Sequence, residues 1–442
     1  MKSHRVRVRG WVLLLVVTLL ASGVAQADEN IDLLDALHNN HVITDAQYAQ
    51  LKKKEQSPSV ESKPASAPAT ASAQPQSSET SSGWHLPHID GYGQFDIPLS
   101  VGDAGKLGSS TVLRRFYVHI HDKIAPDWSY TTTFGYYNGA TYFASGDMTY
   151  SGLKLGGRPL AITGGYFKEP FSLSYLTSPA NLLFPERPLV VMALVPNKKI
   201  GVQLATHGAR WTVAGGVFGG KYNQTADPGV EGRWGESLRA TVTPWLGHDS
   251  LWEVGASFAW READSNHVET FGYQPESLVV GTKLANTAGI AHVSWFSTTG
   301  AETLAQAGPF ALQAEYLLTH VGREGAAQLT FPGWYAQASW SLTGEKRHFS
   351  PSKGTVGGLV PQHTISSGGW GAWELAARYS ALDLNDADVS GGFERNVSFG
   401  INWYPEKPLK FMLDAIRVLP VHGGSNPQQS TTIVMMRLQA AY

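Results

Sequence analysis

The sequence contains no cysteine in 442 residues, which leaves no disulfide, no thiolate nucleophile and no cysteine-based metal site. No stretch reaches the roughly eighteen consecutive apolar residues that a spanning helix needs, so a helical membrane protein is excluded. Neither charge dominates: 34 Lys plus Arg stand against 36 Asp plus Glu, and no basic stretch points to nucleic acid. There is no GxSxG, no HExxH and no complete Walker loop. No Ser–His–Asp geometry can be read from spacing. Neither an enzyme nor a cofactor is therefore expected.

The first residues carry Lys2, Arg5, Arg7 and Arg9, then the apolar run "WVLLLVVTLL", then "ASGVAQA". These are the three parts of a secretory signal, with Ala25 and Ala27 at the small-residue cleavage positions, and the mature protein is expected to begin at Asp28. The competing reading, a retained anchor, is disfavoured by the shortness of the run. Its removal takes away four cations and no anions, leaving a mildly acidic chain. Residues 28–56 read as a short periplasmic helical pair. Ile31, Leu34 and Leu37 share one face, and Thr44 with Gln47 forms a capping-box pattern. Such helices are too short to be stable alone, so they either dock on a partner or form a marginal leader. Residues 57–83 are Ser, Ala, Pro, Thr and Gln with one aliphatic, a disordered spacer.

From Trp84 to Tyr442 the pattern changes to period two. In "NVSFGINWY", Val397, Phe399, Ile401 and Trp403 share one face, and Asn396, Ser398 and Asn402 the other. In "GWYAQASWSLT", Trp334, Ala336, Ala338, Trp340 and Leu342 oppose Tyr335, Gln337, Ser339, Ser341 and Thr343. A soluble sandwich also alternates. Here, however, the polar faces are small or neutral, and aromatics gather at strand ends near tight turns: Trp128 and Tyr130, Trp245 and Trp252, Trp403 and Tyr404. The sequence ends in mid-strand on "TTIVMMRLQAAY", as a closing barrel strand does, and such an end also suits recognition by barrel-assembly machinery. Turn signals give about sixteen antiparallel strands, an all-β transmembrane barrel in the outer membrane with both termini on the periplasmic side. Long connections are expected at 100–110, 139–145, 170–198, 220–233, 263–289, 322–330, 383–391 and 421–429. One connection on the short side, 345–368, is also long. A sixteen-strand barrel leaves a water-filled lumen, which implies a diffusion channel for small solutes. A non-conducting structural or adhesive barrel is the alternative, followed by an outer-membrane hydrolase.

The stretch "GYFKEPFSLSYLTSPANLLFPERPL" (165–189) begins like a strand and is then broken by Pro170, Pro179, Pro185 and Pro188. It is too apolar for an ordinary surface loop. It is expected to fold into the lumen, where irregular backbone is tolerated, with its apolar residues on the wall and its charges at a constriction. An external loop packed over the rim is the alternative. Glu169, Phe171, Tyr175 and Glu186 are its expected constriction residues. Pore-lining candidates are Lys168, Arg187, Lys198 and Lys199 around the loop. On strand two, period two turns Arg115, Tyr117, His119 and His121 inward and Arg114 outward, to the rim or a subunit contact. Further inward candidates are Arg239, Arg261, Glu253, Glu315, Glu374, Arg378, Lys410, Asp414 and Arg437; wall-lining salt networks are the competing use of such charges. His119 and His121 lack a nearby third ligand, so no metal is expected.

"LRRFYVHI" (113–120), the 165–189 stretch with its "ERPL", "FALQAEY" (310–316), "GAWELAARYSALDL" (371–384), "GINWYPEKPLK" (400–410) and "MRLQAAY" (436–442) together resemble the phosphate-selective porin O and P family. The resemblance implies a homotrimer in outer-membrane lipid, narrowed by its third long loop. It also implies that Arg114 and Arg115 match an anion-contacting pair, and that Arg187 keeps the Glu-Arg motif. Tyr175 and Ala180 stand where phosphate-specific members carry lysines. A general or weakly anion-preferring channel for small anionic or hydrophilic solutes is thus implied, with a phosphate or polyphosphate channel as the more specific version.

Overall fold

The computed structural model describes residues 86–102, 107, 109–137, 140–219 and 234–442. The signal, helical pair and spacer read from the sequence lie outside the described residues. The first strands are β1 (His88–Val101), β2 (Val112–Ala125), β3 (Trp128–Tyr137), β4 (Ala140–Leu155) and β5 (Arg158–Lys168). After a long connection come β6 (Lys198–His207), β7 (Trp211–Phe218), β8 (Gly235–Leu246) and β9 (Ser250–Glu262). The next connection carries the small hairpin β10 (Gly272–Tyr273) and β11 (Ala285–Asn286). Then follow β12 (Val293–Ala307), β13 (Phe310–Arg323), β14 (Leu329–Ser341) and a second hairpin, β15 (Phe349–Ser350) with β16 (Thr355–Val356). The chain finishes with β17 (Ala372–Asp386), β18 (Val389–Tyr404), β19 (Leu409–Val418) and β20 (Thr431–Ala441).

Without the two hairpins, sixteen strands form one closed barrel in chain order, and β20 closes antiparallel on β1 from Tyr92↔Ala441 to Val101↔Ile433. Closure leaves no unpaired edge, the condition for a sheet to cross lipid. Short turns at one end alternate with longer loops at the other. The turn from β4 to β5 is Gly156-Gly157, with φ of 56° and 78°. A two-residue hairpin whose twist matches its strands needs positive φ at both positions, which glycine supplies.

The two faces of each strand separate as the alternation dictates. Phe399 and Ile401 are exposed on the outside, while Asn396, Ser398 and Asn402 are buried inside. At the turn end an outer aromatic belt stacks across strands: Phe310 on Trp340 at 5.6 Å and Trp373 on Trp403 at 5.5 Å between ring centroids. Tyr404 does not join it. It points inward and donates to Glu374 at 2.9 Å, because neighbours in a strand cannot share a face. Two expected long loops are absent. β4 already begins at Ala140, and β17 and β18 keep pairing to Asp386↔Val389. Ladder hydrogen bonds join backbones, so the polar side chains of 383–391 do not end the strands.

The lumen is not evenly filled. Residues 169–197 and 263–292 enter from the loop end, and 342–371 from the turn end. Together they cover the inner faces of β8 to β20 and of β1, where Gln313, Glu315, Ser380, Asn402 and Arg437 are all buried. The inner faces of β2 to β6 stay half-exposed at Tyr117, His119, Thr131, Thr163 and Gln203.

Candidate permeation site

Residues 169–197 hold two short helices, α1 (Leu173–Leu176) and α2 (Leu189–Leu194). Helix starts leave backbone N–H groups without intrahelical partners. Here glutamates from elsewhere accept them. Glu302 on β12 takes Leu173 N at 3.0 Å, Glu315 on β13 takes Ser174 N at 2.8 Å, and Glu276 from the 263–292 connection takes Leu189 N at 2.9 Å. Phe171, Leu173, Phe184, Leu189 and Val190 are at most 1% exposed. Full burial is worth about 1.5–3 kcal/mol for each such side chain. The wall makes room with glycine: a Cβ on Gly333 would meet Val190 Cγ2 at 2.4 Å.

The loop's charged tip is Glu186-Arg187. Arg114 Nε and Nη2 donate to the Glu186 carboxylate at 2.5 and 2.9 Å, Arg115 donates at 3.2 Å, and Arg437 Nη2 at 3.0 Å. Burial alone would push the Glu186 carboxyl up; Arg114 and Arg115, and then Arg437, outweigh it and hold the carboxyl well below the usual range. Arg114 therefore points inward, not outward as period two requires. The β1–β2 register slips at this point, with Gln94 opposite Arg115 but Phe95 opposite Leu113, which leaves Arg114 as the extra residue of a bulge. A bulge lets two successive side chains leave the same face.

Three further cations lie nearby. Lys168 donates to Tyr175 O at 2.6 Å, Lys198 to Ala144 O at 2.8 Å, and Arg187 to Ser174 O at 2.8 Å and Thr177 O at 2.6 Å. Among the described residues no carboxylate lies within ion-pair distance of Lys168, Arg187 or Lys198. Burial first, and then the neighbouring Arg115, draws the Arg187 guanidinium down to about 10. Tyr175 packs beneath this group, with Lys168 Nζ 5.1 Å and Arg187 Cζ 5.5 Å from its ring centre.

The remaining sequence candidates point into the lumen, but most are covered. Arg437 pairs with Asp96 at 2.5 Å and Arg378 with Glu276 at 2.9 Å, both behind the loop. Glu169 is closed off by Arg261 and Ser237, and Lys199 is buried within reach of its charge. Phe171 is core rather than channel surface. His119 and His121 share the inner face but take separate partners, Thr133 at 2.8 Å and Asp90 at 2.9 Å. Sequence reading missed Asp96, Glu276 and Glu302. Asp96 was findable, since it alternates with Tyr92 and Gln94 on the polar face of β1. Glu276 was not, since its connection has no periodicity.

The profile of the phosphate-selective porin O and P family matches residues 88–442. The chain belongs to that family. This porin is 22% identical over 342 residues to Porin O of Pseudomonas aeruginosa, a match covering 69% of this chain and 76% of that protein. It is 27% identical over 336 residues to an uncharacterised protein of Caulobacter vibrioides, covering 73% of this chain and 65% of that protein. In structure it resembles an anion-selective porin from Comamonas acidovorans, with a TM-score of 0.50, 10% identity, and coverage of 80% of this chain and 99% of that one. At that identity the likeness shows the fold alone. This porin is thus a bacterial outer-membrane β-barrel.

Proposed function

We propose that this porin is a water-filled diffusion channel preferring small anions, narrowed by residues 169–197. The observation that carries the reading is the charge at the loop tip. Arg114, Arg115, Arg187, Lys168 and Lys198 converge there, and Glu186 is the carboxylate among them. A wall with an excess of one charge sign raises the local concentration of the opposite ion. The cations bordering the half-exposed inner faces of β2 to β6 place that excess beside the unfilled part of the lumen. Working as a homotrimer in outer-membrane lipid, inserted through its last strand and with residues 28–56 in the periplasm, belongs to the same reading, as does the absence of catalysis.

The test is the reversal potential of the purified full-length protein in planar bilayers under a potassium chloride gradient. A clear anion bias is expected, with inorganic phosphate a weak blocker of chloride current. Near-equal permeability for potassium and chloride would overturn the anion preference, and a non-conducting protein would return the structural-barrel alternative.

A further inference from the structure

Below the cation cluster lies a cleft of about 500 Å³ between the wall of β5 to β8 and the hairpin of β15 and β16. Its size falls within the range of small-ligand sites. Most of its lining is apolar: Ala161, Phe167, Ala205 and Ala214 from the wall, Pro170 and Leu176 from the loop. Lys168 stands at its loop end and Lys353, on the tip of the hairpin, at its turn end. Lys353 is exposed.

This chemistry suits one class of anion. Inorganic phosphate carries its charge on a compact polar surface and is held by converging N–H donors, above all bidentate arginine forks. Here the Arg187 fork points to the carbonyl oxygens of Ser174, Tyr175 and Thr177, and Arg114 and Arg115 turn theirs to Glu186. The donors are engaged within the protein while the positive field remains. A dense oxyanion gains little from such a site. A monoanion with an apolar body gains twice, from the field at its carboxylate and from the alanine, proline and phenylalanine surface along its body.

We propose that this cleft is a subsite for small organic carboxylates with an apolar or aromatic body, the carboxylate held in the field of Lys168 and Lys353. The proposal rests on the anion preference inferred above and names the class of anion preferred. It is tested with full-length protein in planar bilayers, by titrating sodium benzoate, sodium acetate and inorganic phosphate against the chloride current. Benzoate is expected to half-block at about tenfold lower concentration than acetate or phosphate, the gain that burying a ring face supplies. A205N, which puts an amide on the apolar wall, should move the benzoate value most of the way to that of acetate. Equal block by benzoate and acetate, with an anion-biased reversal potential intact, overturns the cleft and leaves the anion preference standing. Phosphate as the strongest blocker overturns it too. Loss of the anion bias itself, with no block by any of the three, is the distinct result that removes the underlying reading.

Discussion

The inner faces of β2 to β6 and of β8 to β20 draw on similar residues, hydroxyls, amides, charges and small side chains, yet meet different neighbours. On β13 and β18, Gln313, Glu315, Ser398 and Asn402 are buried, each against a connection that fills the lumen or against a neighbouring wall residue. On β2 and β5, Tyr117, His119 and Thr163 stay half-exposed, bonded among the described residues only to neighbouring wall residues. Polarity on an inner wall therefore does not by itself mark a channel surface. On one side it holds the connections that fill the lumen; on the other it stays half-exposed. Glu186 sits at the border, shared between Arg437 of the filled side and Arg114 and Arg115 of the open side.

The largest effect should come from breaking that border. Glu186→Gln leaves Arg114 and Arg115 with an uncharged partner and Arg437 with Asp96 alone, a loss of about 3–5 kcal/mol for a buried ion pair deprived of one member. The loop should loosen while the barrel persists. Chymotrypsin cleavage after Tyr175, which is buried in the seated loop, should appear in the variant and be absent from the wild type, with heat-modifiable migration on gels unchanged. An equally protected loop would mean that apolar packing alone seats it. Acid offers the same test without mutation. The folded carboxyl is depressed, so its contribution to stability is fully present above the usual value of 4.5 and is lost progressively as pH falls from there through the much lower folded value, while the folded carboxyl itself stays ionised until that lower value. Single-channel conductance should thus show no step between about pH 5 and pH 4; a step there would mean an ordinary carboxyl.

A smaller effect is expected deeper in the filled side. Gly333→Ala adds a Cβ that meets Val190 at 2.4 Å, with the backbone of Ala381 only 3.0 Å away. Overpacking of this kind costs about 1–3 kcal/mol. The unfolding midpoint in denaturant should fall and ion selectivity should stay. A change in selectivity instead would mean that the α2 packing shapes the open side.

The two sides also differed in how far they could be read. The barrel was legible nearly strand for strand, since period two is written into every segment and the loop 165–189 declares itself by prolines among apolar residues. Arg115, Tyr117, Glu315 and Arg437 were placed inward correctly by the same rule. Arg114 was not, because a single-residue bulge reverses parity and leaves no compositional mark in "VLRRFYV". Nor was the plug: Glu276 capping α2 and Lys353 entering from the turn end depend on how three irregular connections meet, and irregular backbone has no period to read.

The smallest effect should come from the open side, and it separates the two sides most cleanly. Lys168 donates to carbonyl oxygens and pairs with no carboxylate among the described residues, so Lys168→Gln removes charge while its amide can still donate to Tyr175 O. One unit charge about 7 Å from an ion in water contributes about 0.6 kcal/mol, attractive to an anion and repulsive to a cation, which is roughly threefold for each ion and about sevenfold in their permeability ratio. The anion-to-cation permeability ratio should fall by about that sevenfold factor, with chymotrypsin protection of the loop unchanged. Arg378→Gln, which breaks the pair with Glu276 behind the loop, should do the reverse: weaker protection and little change in the ratio. If Arg378→Gln moved the ratio as much as Lys168→Gln, the buried side would share the ion path, and the division of the lumen into plug and channel would fail.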